Sequence, residues 1–277
     1  MIRIAVCISG SIRYWKETYP LFEYWNKLYD DAEFIFFIST WKGYTTITES
    51  GTIIDISKAD EYDYGSHNFI EDVSYHTEPN LWDKQQEIEK QGYNFHKSCR
   101  LKFYSIKQVQ TLRQKYEKKN KMKFDGIIQI RNDLFIPKSI LDRCVNICQL
   151  KPFYYNSKFV MTPGGSKIEV PSYHLTLSND NFTFSNSRTM DIVKNHWDEL
   201  DLQEYVQCHS SPAEFYSRHD ISNYNIITQP LLLRTGRQTK NGRPKPEVLD
   251  ELINRKGVAW IYKQSVDYLS KKYWMYE

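Results

Sequence analysis

The chain has 277 residues, 37 Lys and Arg against 34 Asp and Glu, a formal net charge of +3, and is 40% hydrophobic and 15% aromatic with only 11 Gly and 10 Pro. This composition excludes a disordered chain and a fibrous repeat, and the near-balance of charge argues against a nucleic-acid partner. The length suffices for one large core or two modest ones, and the surplus of Tyr (21) and Trp (7) fits either a ring-rich core or a surface that grips flat ligands.

The first element is a strand. Ile2, Ile4, Val6 and Ile8 alternate with Ala5 and Cys7 between them, so both faces read as buried. It ends in the polar turn Ser9-Gly10-Ser11-Ile12-Arg13. The apolar run Ile4 to Ile8 is too short for a signal peptide, and no stretch approaches the roughly 20 apolar residues of a membrane span, so a cytoplasmic protein is expected. A helix follows through Tyr19, Phe22, Tyr24, Trp25 and Leu28, then a second buried strand over 32–41, ending in Thr40-Trp41. Strand, helix and strand in this order form a βαβ unit with a parallel sheet and a right-handed crossover.

Residues 43–95 are polar and predict an excursion with a short strand or two and a helix near 82–90. Residues 96–123 have helical periodicity, with Leu101, Tyr104, Ile106, Val109, Leu112 and Tyr116 as the core stripe. Ten Lys or Arg face one acid, Glu117, which reads as a solvated face; the alternative is attraction for an anionic partner. Ile127, Ile128 and Ile130 form a buried strand that delivers Arg131-Asn132-Asp133 to its carboxyl end, and Pro137 stops further pairing. Beyond it come candidate strands at 153–155, 159–162 and 181–184, a turn at Pro163-Gly164-Gly165, helices over 187–200 and 212–219, a strand over 225–233, and two helical patterns from Val248 onward. The five Cys are scattered, which fits free thiols; Cys144 and Cys148 share a helix face but lack further soft ligands nearby.

Open α/β sheets bind ligands beyond the carboxyl ends of their strands. That rule gathers Ser9-Gly10-Ser11 with Arg13, Thr40-Trp41, Arg131-Asn132-Asp133 and 178–181. Gly10 allows main-chain N–H groups to approach a ligand and Arg13 can pair with a phosphate; an ordinary βα turn reads the same way. Asp133, two residues from Arg131, can bind a divalent metal or a ribose hydroxyl, or simply pair with the arginine. Asp180 is a candidate base or an Asx turn, and Glu214 a candidate base or a helix-start carboxylate. His174, His196, His209 and His219 lack metal-site spacing.

In this order the motifs carry a resemblance. Ile4 to Arg13, the strand ending Ser39-Thr40-Trp41, Asp125 to Leu134, Asp180 to Asp191 and Pro212 to Phe215 resemble a group of GT-A-type glycosyltransferases of bacterial surface-polysaccharide clusters and large DNA viruses, over roughly residues 2–234. The resemblance implies a Rossmann-like, mostly parallel sheet flanked by helices, with a mixed acceptor-side half. It implies one catalytic domain over 1–277, with 1–137 the donor half and 138–277 the acceptor half. It implies a nucleotide-sugar donor, a UDP-sugar favoured and UDP-xylose among the candidates, bound by Ser9, Gly10, Ser11, Arg13, Thr40, Trp41, Arg131 and Asp133. Asp133 stands where relatives carry an Asp-x-Asp metal motif, implying Mn²⁺ or Mg²⁺, but Arg131 replaces the first Asp and can itself neutralise a diphosphate. Asp180, then Glu214, are the implied catalytic bases. The acceptor would be a glycan or glycoprotein, in the host cytoplasm if the source is viral; a non-catalytic glycan-binding module is the alternative.

Overall fold

A computed structural model describes residues 1–10, 14–41, 45–47, 53–55, 64–76, 97–149, 159–161, 167–169, 176–179, 182–195, 223–224, 231–232, 246–269 and 272–273. The protein is α/β, with a mixed, mostly parallel sheet between two helical layers. β1 (Ile2–Ser9) pairs in parallel with β2 (Ala32–Trp41), Ile2 opposite Ala32 and Ser9 opposite Ser39. Between them runs α1 (Trp15–Tyr24), continued by a 3₁₀ turn over Trp25–Lys27. Asn26 fixes the approach to β2, donating to the Phe34 carbonyl at 2.9 Å and accepting from the Phe34 N–H at 2.6 Å. This is the expected βαβ unit.

After β2 the chain makes a hairpin of β3 (Thr45–Ile47) and β4 (Ile53–Asp55), then returns as β5 (Ile70–His76), parallel to β2. α2 (Lys97–Lys119) crosses to the other side of β1, where β6 (Gly126–Ile130) pairs in parallel. β7 (Leu134–Phe135) and α3 (Lys138–Gln149) follow, then the hairpin of β8 (Phe159–Met161) and β9 (Lys167–Glu169). β10 (Thr176–Asn179) and β11 (Phe182–Ser185) are antiparallel to each other, and β11 is antiparallel to β6. α4 (Ser187–Lys194), β12 (Asn223–Tyr224) and β13 (Leu231–Leu232) precede three C-terminal helices, α5 (Pro246–Lys256), α6 (Val258–Lys263) and α7 (Val266–Leu269). The main sheet runs β12-β10-β11-β6-β1-β2-β5.

Alternate residues of β1, β2 and β6 feed two cores, as a sheet covered on both faces requires. On one face Ile4, Val6, Phe36, Ile38 and Ile128 pack with Trp15, Phe22, Trp25, Leu141, Leu249 and Ile261 from α1, α3, α5, α6 and the 3₁₀ turn. On the other, Ala5, Cys7, Phe37 and Ile127 meet Phe103, Val109, Leu112, Met190 and Val193 from α2 and α4. The Trp25 indole N–H donates to the Tyr262 hydroxyl at 2.7 Å, joining the C-terminal helices to the first crossover. Among the described residues no helix is long and apolar enough to cross a membrane.

Several sequence expectations change. The excursion after residue 43 contains a full strand, β5, which lengthens the sheet by its outer edge. Of the strand expected over 225–233, the described residues are Leu231–Leu232, which pair as β13 with β7, while β12, just ahead of that range, lies beside β10. β10 adds a strand before Asp180, and the tail has three helices rather than two. The core stripe of α2 includes Phe103, and Glu117 is buried, not part of a solvated face. The elements expected near 82–90, 153–155 and 212–219, and the turn at 163–165, lie outside the described residues.

Candidate functional site at the sheet's switch point

The chain order of the strands locates the site. β1, β2 and β5 step outward in one direction; the chain then crosses to the other side of β1 as β6. The chain thus leaves β1 toward one side of the sheet and leaves β6 toward the other, and the carboxyl ends of these two strands form the switch point, the place where such sheets take ligands. Ser9 and Gly10 line it from β1, and Arg131, Asn132 and Asp133 from β6. The described parts of the motifs gathered by the strand-end rule, Ser9-Gly10, Thr40-Trp41 and Arg131-Asn132-Asp133, thus share one edge.

Gly10 ends β1 with its N–H donating to the Ser39 carbonyl at 3.1 Å, so the ends of β1 and β2 are tied together. Its φ of +106° suits glycine alone, and a Cβ there would meet no atom within 4 Å. The main chain at Gly10 thus borders open space. Asp133 is buried and Arg131 is not: side-chain exposures are 5% and 36%. The guanidinium grips the carboxylate by two bonds, Nε to Oδ1 at 2.8 Å and Nη2 to Oδ2, a fork-to-fork pair in which the arginine stays partly exposed. Ile130 is in register with Phe182, which pairs with Asn179, so both residues flanking 180 and 181 sit at this same edge. Asp180 itself, with Ser11, Arg13 and Glu214, lies outside the described residues.

At the end of β2, Thr40 and Trp41 are 1% exposed. Trp41 stands edge-on to His76 and tilted against Tyr104, with centroids 5.5 Å away in both cases. Thr40 Oγ1 and Trp41 Nε1 are buried without a hydrogen-bond partner among the described residues, an uncommon state and a cost unless a ligand supplies one. Trp41 therefore belongs to the packed interior and not to a surface that grips flat ligands. Tyr64 is likewise buried, packed edge-on to Trp15 at 5.3 Å. Beside them Ser39 Oγ lies 2.8 Å from His76 Nε2, and burial pulls the His76 pKa down to about 4, so the ring is neutral near pH 7.

A polar chain that sequence reasoning missed runs beneath the switch point. Gln129, in the middle of β6, donates from Nε2 to Ser9 Oγ at 2.7 Å. Gln110 Nε2 donates to Gln129 Oε1 at 3.0 Å, and Arg113 Nε to Gln110 Oε1 at 3.1 Å. Arg113, fully buried, also donates from Nη1 to Glu117 at 2.9 Å and from Nη2 to Asp191. Glu117 accepts further from Lys123, from Ser187 Oγ at 2.6 Å and from the Phe124 N–H at 3.2 Å. The signal was present: Gln110, Arg113 and Glu117 recur at helical spacing on the sheet-facing side, and Gln129 interrupts a run of isoleucines. Cys7 lies against this chain, and burial pushes its thiol up to about 12.

Asp133 does not fit as a ready metal ligand. Both of its oxygens are engaged by Arg131, and among the described residues no group of three His, Cys, Asp or Glu is placed to hold an ion. No family model, curated protein or solved structure matches the chain.

Proposed function

We propose that the protein is a glycosyltransferase of GT-A type that moves a sugar from a nucleoside diphosphate, UDP favoured, to a glycan or glycoprotein acceptor. The observation that carries the reading is the convergence at the switch point: an open main chain at Gly10, a serine beside it, and a partly exposed arginine held by Asp133 just after the neighbouring strand. The sheet order, with β11 reversed beside β6, supports a donor half continued by a mixed acceptor half.

In this reading Ser9 and the Gly10 main chain meet phosphate or ribose oxygens, and Arg131 meets the diphosphate. A departing diphosphate needs positive charge, which a divalent cation or a guanidinium supplies. Asp133 as placed serves Arg131, aligning its planar fork, so the arginine is the charge this site offers. Thr40 and Trp41 close the neighbouring strand with polar side-chain atoms that have no partner among the described residues, one on each face of the sheet. Attack by the acceptor hydroxyl with inversion needs a carboxylate to take its proton. Asp180, whose chain neighbours reach the β6 edge, is the first candidate and Glu214 the second.

Calorimetric titration with UDP- and GDP-sugars tests the reading. It expects UDP-sugar binding in EDTA and a loss of about tenfold or more for Arg131→Ala, the scale of a charged hydrogen bond. Absence of nucleotide-sugar binding with and without Mn²⁺ sinks it, and binding that needs Mn²⁺ sinks the arginine's role. Glycan binding in the absence of any nucleotide affinity would mark a lectin-like module instead.

A further inference from the structure

Hydrogen-bond polarity beneath the switch point is set at its far end. A guanidinium has donors and no acceptor, so the Gln110 atom facing Arg113 Nε is the carbonyl oxygen. The Gln110 amide nitrogen must then face Gln129, and it does, at 3.0 Å. The Gln129 atom receiving it is again the carbonyl oxygen, and its NH₂ is left to face Ser9 at 2.7 Å. Each link fixes the next, so the glutamines have no alternative amide orientation. Ser9 Oγ therefore accepts from inside the protein, and its own O–H proton points elsewhere. That proton has no acceptor among the described residues. A hydroxyl at the switch point, 7% exposed, with a spare proton and an occupied lone pair, is a preset donor.

We infer that Ser9 donates a hydrogen bond to an acceptor oxygen of the bound nucleotide, and that Arg113, through Gln110 and Gln129, acts as the positioning device that turns its proton outward. The inference rests on the nucleotide-sugar reading and adds a residue role to that site. Arg113 suits the task because it cannot lose its proton, and Glu117 and Asp191 neutralise it where it is buried. Linked donors in a dry layer also polarise one another, strengthening the final O–H.

Two substitutions reverse the chain while keeping its shape. In Gln129→Glu the carboxylate accepts from both Gln110 and Ser9, so the serine proton turns inward. In Gln110→Glu, beside Arg113, the new acceptor makes Gln129 rotate its NH₂ away from Ser9 and present its carbonyl, with the same result two residues from the ligand. The full-length chain is titrated calorimetrically with UDP, with circular dichroism and a urea transition confirming that each variant is folded. Ser9→Ala is expected to weaken UDP binding about tenfold, and either reversal by a similar factor. In the Ser9→Ala background neither reversal should change affinity by more than about twofold, since coupled positions are not additive. Reversals that weaken UDP equally with and without the serine hydroxyl overturn the relay, as does a Ser9→Ala chain with unchanged affinity. If one reversal fails to fold, the other carries the cycle. A wild-type chain that binds no UDP overturns the nucleotide reading and the relay together, whereas the preceding outcomes overturn the relay alone.

Discussion

Glu117 is 3% exposed and accepts from Arg113, Lys123, Ser187 and a main-chain N–H, so every lone pair has work to do. Glu117→Ala leaves Arg113 buried with Asp191 as its carboxylate and should cost about 3 kcal/mol, read as a lower urea midpoint at unchanged slope. His76 gives a pH signature. Its folded pKa of about 4 lies below the ordinary 6.5, so the unfolded chain binds the extra proton between those values. The stability it confers is complete above pH 6.5, declines as pH falls through that window, and is gone below about 4. Wild type should lose about 1 kcal/mol more than His76→Asn between pH 7.5 and 5 in urea titrations, allowing for water at the ring's edge. Single residues were unevenly legible. Ser9, Gly10 and Arg131 announced themselves because strand ends and glycines have local signatures. Ser39, His76 and Gln129 did not, because their partners lie 37 and 120 residues away and no local pattern encodes such a pairing.

Gly126 shows how elements dictate residues. It begins β6 where the sheet meets α3, and a Cβ there would lie 2.6 Å from Phe184 Cε2 and 2.7 Å from Cys148 Sγ. Both neighbours are buried, so neither can yield freely. Gly126→Ala should destabilise by about 2 kcal/mol through overpacking, measured by chemical unfolding, and Cys148→Ala in the same chain should recover part of it. Strands buried on both faces, β1, β2 and β6, were readable because such strands form continuous apolar runs. β5 was not. An edge strand needs no such run, and Glu71, Asp72 and Ser74 gave it the composition of a loop. β12 escaped for another reason: so short a paired piece owes its state to the neighbour it pairs with, whereas β13 fell within the strand expected over 225–233.

At the scale of the molecule, the C-terminal helices complete the first crossover. Leu249, Leu252, Ile261 and Tyr262 share one core with Trp15, Phe22 and Trp25, and Tyr262 receives the Trp25 indole proton. Truncation before Pro246 exposes that apolar surface, and the shortened chain should bind a hydrophobic dye and lose its single sharp thermal transition. The aromatic surplus is resolved in the same way. Among the described residues Trp15, Trp25, Trp41, Tyr64 and nearly all the phenylalanines are buried and packed ring against ring, so these rings build the core and not a gripping surface.

Three thiols sit in two places that this architecture separates. Cys7 lies in the layer under α2, while Cys144 and Cys148 lie across the sheet, on the buried face of α3. All three are buried, and burial raises the pKa of Cys7 and Cys144, so alkylating reagents reach them when the structure opens and not before. Their labelling rates, followed peptide by peptide, therefore time the opening of each layer separately. Equal rates would mean that the sheet lets both layers go in one event; a faster Cys7 would mean that the layer holding the buried arginine breathes on its own.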